Sequence, residues 1–118
     1  MPKPERNPKT ETRTSDFTVV LVTVPDLKTA RALAKTILES RHAACVNIVP
    51  GIESHYWWQG KMERGKELLL LIKTTGERLG ELQECVLANH PYDTPEFVVL
   101  PISGGNKRYL EWISESVK

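Results

Sequence analysis

A short segment between His90 and Pro101 concentrates the side chains of this sequence that could do chemistry. It reads His-Pro-Tyr-Asp-Thr-Pro-Glu-Phe-Val-Val-Leu-Pro, so an imidazole, a phenol and two carboxylates precede an apolar run. Pro91 and Pro95 disfavour a helix in this segment, because proline has no backbone N–H and keeps the preceding residue out of the α region. The segment is predicted as a loop that leads into a buried strand, and such loops often carry function. The same residues could also do no more than cap a helix and cover the strand end.

Two kinds of binding chemistry are open to the polar side chains. Cys45, His55 and His90 offer thiolate and imidazole donors, which suit copper and zinc, but they lack the short paired spacing of a structural zinc site. Lys73 and Glu96 lie at the ends of apolar strands and could bind a polar metabolite or form an ordinary ion pair. No nucleophile–base pair can be assembled from these residues, so we expect no enzymatic activity.

The elements that must position these side chains follow from hydrophobic patterning. Strands are predicted over residues 18–24, 44–58, 62–74 and 96–102, with a bend or bulge at Pro50-Gly51 and a hairpin turn at Gln59-Gly60. Helices are predicted from Asp26 to a last turn at Arg41-His42, over residues 79–89, and over residues 109–117. The order βαββαβ with an extra C-terminal helix indicates an α+β, ferredoxin-like sandwich.

Composition sets the domain limits and excludes several classes of function. Residues 1–15 contain three prolines and no Val, Ile, Leu or aromatic residue, which predicts a disordered tail before a single domain over residues 16–118. The net charge of +1 argues against a nucleic-acid partner. No apolar stretch approaches the ~20 residues that cross a membrane, and no signal peptide is visible. Two cysteines among apolar neighbours fit a cytoplasmic location.

The predicted sheet calls for a partner. Five consecutive apolar residues at positions 68–72 indicate that both faces are covered, although the two main helices cover only one. The hairpin also carries Tyr56, Trp57 and Trp58 in succession, so large aromatic rings point to both of its faces. Because a small domain rarely exposes such an apolar area alone, we expect self-association through the open sheet face and the hairpin.

Four motifs follow one another along the chain: Ala43-Ala44-Cys45-Val46-Asn47-Ile48-Val49-Pro50-Gly51, Ser54-His55-Tyr56-Trp57-Trp58-Gln59-Gly60-Lys61, Leu70-Leu71-Ile72-Lys73-Thr74 and His90-Pro91-Tyr92-Asp93-Thr94-Pro95-Glu96. In this order they resemble the CutA family of divalent-cation tolerance proteins. The resemblance covers about residues 17 to 117. It implies a ferredoxin-like subunit in a tight homotrimer, similar in architecture to the PII signalling proteins.

The resemblance also implies a role in tolerance to copper and other divalent cations. By position, Cys45 in the Ala-Ala-Cys motif and His90 before Pro91 correspond to the metal donors of the family. Some bacterial members have a further cysteine where this chain has Val22, so this chain lacks one soft ligand for Cu(I).

Two alternatives remain beside metal binding. The likeness to PII proteins implies that clefts between subunits could hold a small effector, with the candidate lining residues Lys73, Tyr92, Glu96, Trp58 and Tyr109. Animal relatives of the family are linked to the anchoring of a membrane enzyme, which implies a scaffold trimer with no ligand.

Overall fold

A computed structural model describes residues 16–118, so the predicted tail over residues 1–15 lies outside the described part. The strands are β1 (Phe17–Val24), β2 (Cys45–Trp58), β3 (Lys61–Thr75) and β4 (Val98–Pro101). The helices are α1 (Leu27–Glu39), α2 (Leu79–Asn89) and α3 (Lys107–Ser116), with a short 3₁₀ turn (Gly76–Arg78) before α2. The strands form one antiparallel sheet in the order β2-β3-β1-β4. This order confirms the ferredoxin-like prediction.

The two faces of the sheet differ in what covers them. Along β1 every second residue is buried, from Thr18 to Val24, and these side chains pack with α1 and α2. The core between the sheet and these helices consists mainly of branched aliphatic residues: Val20, Val22, Val24, Leu33, Ile37, Leu70, Ile72, Leu82 and Val86. On the opposite face α3 covers only the end that holds Lys73, and it buries Ile113 there. The rest of that face is open in the single chain.

Helix α1 begins as predicted but ends earlier. The Asp26 carboxylate accepts a hydrogen bond from the Thr29 N–H at 2.7 Å, and this bond lowers the pKa of Asp26. The prediction that Arg41 and His42 form the last helical turn is wrong, because the helix ends at Glu39. Arg41 takes a left-handed conformation (φ 60°), and the His42 N–H returns to the Ile37 carbonyl at 3.1 Å. This is the Schellman arrangement, with arginine where glycine is usual.

Strands β2 and β3 form a hairpin that extends beyond the rest of the sheet. Their pairing shifts between Val49 and Ile52, which confirms the predicted bulge at Pro50-Gly51. The pairing of β3 with β1 ends at Leu68, so the residues nearer the turn form a two-stranded arm. Gln59 and Gly60 both have positive φ at its tip, as a tight hairpin turn requires.

Strand β4 is shorter than predicted. It covers Val98–Pro101 rather than residues 96–102, so Glu96 stays in the preceding loop. β4 is an edge strand whose apolar side chains Val98, Val99 and Leu100 are 39–44% exposed. No helix of the described residues is long and apolar enough to cross a membrane.

Candidate functional site

An open cleft of about 600 Å³ lies where the hairpin arm leaves the sheet. This volume is in the range of small-molecule sites. The β2–β3 hairpin contributes aromatic residues and Glu67, β1 contributes Thr23, and the loop after α2 contributes Tyr92, Asp93 and Glu96. The cleft is therefore built around the polar segment that the sequence singled out.

The register of the hairpin decides which aromatic side chains lie on the same face as Glu67. Tyr56 pairs with Glu63 and Trp58 pairs with Lys61, so both side chains lie on the face that also holds Glu67. Trp57 pairs with Met62 on the other face. These last two side chains are 73% and 75% exposed in the single chain. The hairpin thus places Tyr56 and Trp58 on the Glu67 face, while Trp57, which also borders the cleft, lies with Met62 on the opposite face.

His90 holds the cleft loop against the sheet. Its ring is only 9% exposed, and its Nε2 lies 2.7 Å from the Thr23 carbonyl oxygen. The Tyr92 backbone N–H donates to His90 Nδ1 at 3.1 Å. Both contacts are satisfied together when the neutral ring carries its proton on Nε2. β4 pairs with β1 only as far as Leu21. The His90 imidazole therefore hydrogen-bonds a carbonyl of β1, that of Thr23, at a position that β4 does not reach.

Tyr92, Glu67 and Glu96 influence one another within the polar part of the cleft. The Tyr92 hydroxyl donates to Glu67 Oε2 at 2.8 Å. Burial, together with this hydrogen bond and the negative charge of Glu67, raises the pKa of Tyr92 well above its usual value. Burial raises the pKa of Glu96 as well, and the neighbouring Glu67 carboxylate adds to that effect. The two carboxylates therefore share this region, and no lysine or arginine within residues 16–118 lines the cleft beside them.

Replacing Glu96 by Gln is expected to stabilise the free protein near neutral pH. Because folding raises the pKa of Glu96, its contribution is most favourable below the ordinary value of 4.5 and is lost as the pH rises through the folded value. The gain should stay below about 1 kcal/mol, since much of the carboxyl group is in water. Thermal unfolding across this pH range checks it. The two proteins should converge in acid, and a difference that stays constant with pH would show that the Glu96 charge is not its cause.

Cys45 and His90 lie at different ends of the sheet. Cys45 on β2 pairs with Lys73 on β3, and Lys73 pairs in turn with Val19 on β1. His90 contacts Thr23, which lies four residues beyond Val19 along β1. With β2 two strands away from β1, about 16 Å separate the Cα atoms of Cys45 and Thr23. One chain therefore does not bring the two predicted donors to one ion. Metal binding by either residue stays a prediction.

Cys45 and Val22, the position where some relatives have a second cysteine, lie on opposite faces of the sheet. The Cys45 thiol is half-buried and lies 3.6 Å from the Asn47 side-chain oxygen. Val22 is fully buried on the helix-covered face, whereas Cys45 shares the opposite face with Lys73. Within residues 16–118, no three His, Cys, Asp or Glu side chains converge to hold a metal ion.

The five residues predicted to line an effector cleft divide into two groups within one chain. Trp58, Tyr92 and Glu96 line the cleft at the hairpin. Lys73 instead donates to the Tyr109 hydroxyl at 3.4 Å and lies 5.6 Å from the centre of that ring. The suggested pairing of Lys73 with Glu96 is thus not formed.

Sequence reasoning did not identify Glu67 and Tyr56 as cleft residues. Glu67 stands at the start of the apolar run of β3, where a charged residue could simply mark the strand end. Its place in the cleft follows from the hairpin register, and its partner there is the hydroxyl of Tyr92, 25 positions away in the sequence. A pattern in one strand carries no signal for such a contact.

Comparison with known proteins gives a consistent result. The family described as "CutA1 divalent ion tolerance protein" matches residues 18–116. The "Divalent-cation tolerance protein CutA" of Thermus thermophilus is 54% identical over 98 residues, which cover 83% of this chain and 95% of that protein. The rice "Protein CutA 1, chloroplastic" is 54% identical over 100 residues, or 85% of this chain, but this chain spans only 56% of its length. The crystal structure of CutA1 from Oryza sativa superposes with a TM-score of 0.85 at 52% identity, covering 89% of this chain and 97% of that one.

Proposed function

The chain belongs to the CutA1 divalent ion tolerance family, and we propose that it is a non-catalytic cytoplasmic homotrimer that binds divalent metal ions, copper first, in cation tolerance. The observation that carries the proposal is the match over nearly the whole described domain to proteins named for divalent-cation tolerance. The cytoplasmic location is supported by two cysteines that are free thiols, as a reducing compartment allows.

Cys45 is the donor that we assign to the metal. Its thiol is soft, partly accessible and close to the amide oxygen of Asn47, which is a second potential ligand. Cys85 is a poorer candidate, because burial raises the pKa of its thiol and so disfavours the thiolate that binds metal. A second protomer or solvent supplies the remaining ligands.

Two surfaces support self-association of the chain. β4 is an edge strand, and the unpaired backbone groups of such a strand can pair with another chain. The Trp57–Met62 pair, on the hairpin face opposite Glu67, is about three-quarters exposed in the single chain. A homotrimer built through these surfaces and the open sheet face would bury apolar area that a soluble monomer rarely exposes.

Anaerobic calorimetric titration with Cu(II) and Zn(II) tests the metal site. We expect saturable binding to the unmodified chain and a loss of affinity of roughly tenfold or more in Cys45→Ala, because a soft ligand is removed. Cys85→Ala is the matched control, since it also removes one thiol, and it should bind as the unmodified chain does. Equal affinity in both variants, or no saturable binding to any of them, would overturn the assignment.

The second candidate is a trimeric sensor of a small effector, and the cleft at the hairpin is the observation that favours it. The carboxylates Glu67, Asp93 and Glu96 line this cleft, whereas no lysine or arginine of the described residues does. Such a lining repels nucleotides and other anions, so the cleft favours a cationic effector. The candidate remains separate from the Cys45 site, at the other end of the sheet.

A further inference from the structure

We propose that the cleft at the base of the hairpin binds an aliphatic polyamine, in which ammonium groups are joined by methylene chains. This inference rests on the second candidate function above, since it names the class of ligand for the same cleft, and it is independent of the metal site at Cys45. It rests on the charge of the cleft, its aromatic walls and the arrangement of its carboxylates.

The charge of the cleft selects a cation. Glu67, Asp93 and Glu96 line it, and no described lysine or arginine does. His55 is the histidine among the lining residues, and its Nε2 lies 2.7 Å from Glu53 Oε2. A concave site lined by negative charges raises the local concentration of cations.

In the single chain the carboxylates are available to an incoming ligand. Within residues 16–118, neither Asp93 nor Glu96 forms an ion pair, and Glu67 engages the Tyr92 hydroxyl through one of its two oxygens. The raised pKa of Glu96 has burial as its main cause and the charge of Glu67 as the second. An ammonium group placed between these two carboxylates would relieve that repulsion.

The aromatic walls favour an organic cation over a bare metal ion. Tyr56, Trp58 and Tyr92 line the cleft and can contact ammonium groups through their ring faces. The methylene links of a polyamine also gain from burial against aromatic carbon. A divalent metal ion instead needs several oxygen or nitrogen ligands around one point, and the described residues hold no group of three His, Cys, Asp or Glu side chains that could supply them.

The shape of the cleft fits a flexible chain with separated charges. Its volume of about 600 Å³ accommodates a ligand much larger than an ion. The Tyr92 ring packs 4.7 Å from that of His90, and its hydroxyl is bound to Glu67, so this wall is held in place before binding. Pre-positioned groups reduce the ordering cost of association.

Calorimetric titration of the full chain with spermidine tests the proposal. We expect saturable binding that weakens as salt is raised, because exposed charge pairs are screened. The uncharged chain 1,8-octanediol should show no saturable binding. Glu96→Gln and, independently, Asp93→Asn should each weaken spermidine binding by roughly tenfold, since each removes a charge-assisted hydrogen bond.

Glu84→Gln on α2 is the matched control, because Glu84 is exposed and does not line the cleft. It should leave spermidine binding unchanged, as should Cys45→Ala, which tests the metal site alone. The proposal is overturned if spermidine does not saturate the unmodified chain, if 1,8-octanediol binds equally well, or if Glu96→Gln and Asp93→Asn both bind like Glu84→Gln.

Discussion

Replacing Trp57 by Ala is expected to shift the chain from trimer towards monomer. The Trp57 side chain is 73% exposed in the single chain and lies opposite Met62, which is 75% exposed, so an isolated protomer leaves both in water. Truncating a tryptophan at the centre of an interface typically costs about 2–4 kcal/mol. Light scattering after size-exclusion chromatography, over a range of protein concentrations, measures the effect.

Trp112→Ala provides the matched control for the Trp57 experiment. Trp112 is also a partly exposed tryptophan, but it lies on α3 and packs at a tilt against Tyr109, with 5.4 Å between the ring centres. We expect this variant to remain as oligomeric as the unmodified chain. A Trp57→Ala protein with unchanged mass at every concentration would show that the outer hairpin face is not an interface, because a free surface residue can be replaced at little cost.

The fold could be predicted because its signals are local. Pro50-Gly51 marks the bulge, Gln59-Gly60 marks the hairpin turn and Asp26 caps α1, and each of these features acts within a few residues. The end of α1 was misjudged because Arg41 adopts the left-handed conformation that glycine normally supplies. The start of β4 was placed too early, at Glu96, because pairing with β1 begins only at Val98 and depends on the partner strand as well.

The cleft could be predicted only in part because its composition depends on register. Before the bulge Cys45 pairs with Lys73, and after it Trp58 pairs with Lys61, so β2 gains one residue relative to β3. A one-residue shift moves every later side chain to the other face. Without that shift Trp57 would lie on the Glu67 face of the hairpin, and Trp58 would lie on the opposite face. The sequence shows the bulge but not the number of residues that it inserts.

The same dependence explains why the predicted metal donors are not neighbours. Cys45 and His90 each lie in a distinctive motif. Cys45 is nevertheless two strands away from β1 and level with Val19, whereas His90 contacts Thr23, four residues further along β1. Both ring nitrogens of His90 are engaged by backbone groups. Any metal bound at this imidazole must displace one of these partners.

His90→Ala is expected to destabilise the metal-free protein by about 2–3 kcal/mol. The substitution leaves the Thr23 carbonyl and the Tyr92 N–H without their partners in a buried setting, and each unsatisfied group costs about 1–3 kcal/mol before water compensates. Urea unfolding in the presence of a chelator measures the change. All proteins must be compared at one concentration, because an oligomer's apparent stability depends on it.

His55→Ala separates a supporting role of His90 from a role as a metal ligand. The His55 side chain is 63% exposed and contacts Glu53 on the surface of the hairpin, so its removal should change the stability by no more than about 0.5 kcal/mol. If His90→Ala is as stable as His55→Ala but loses affinity for copper, the imidazole is a ligand and its hydrogen bonds contribute little. If it is unstable without metal, a loss of copper affinity in that variant reflects the collapse of the cleft loop, and Cys45→Ala becomes the decisive test of the metal site.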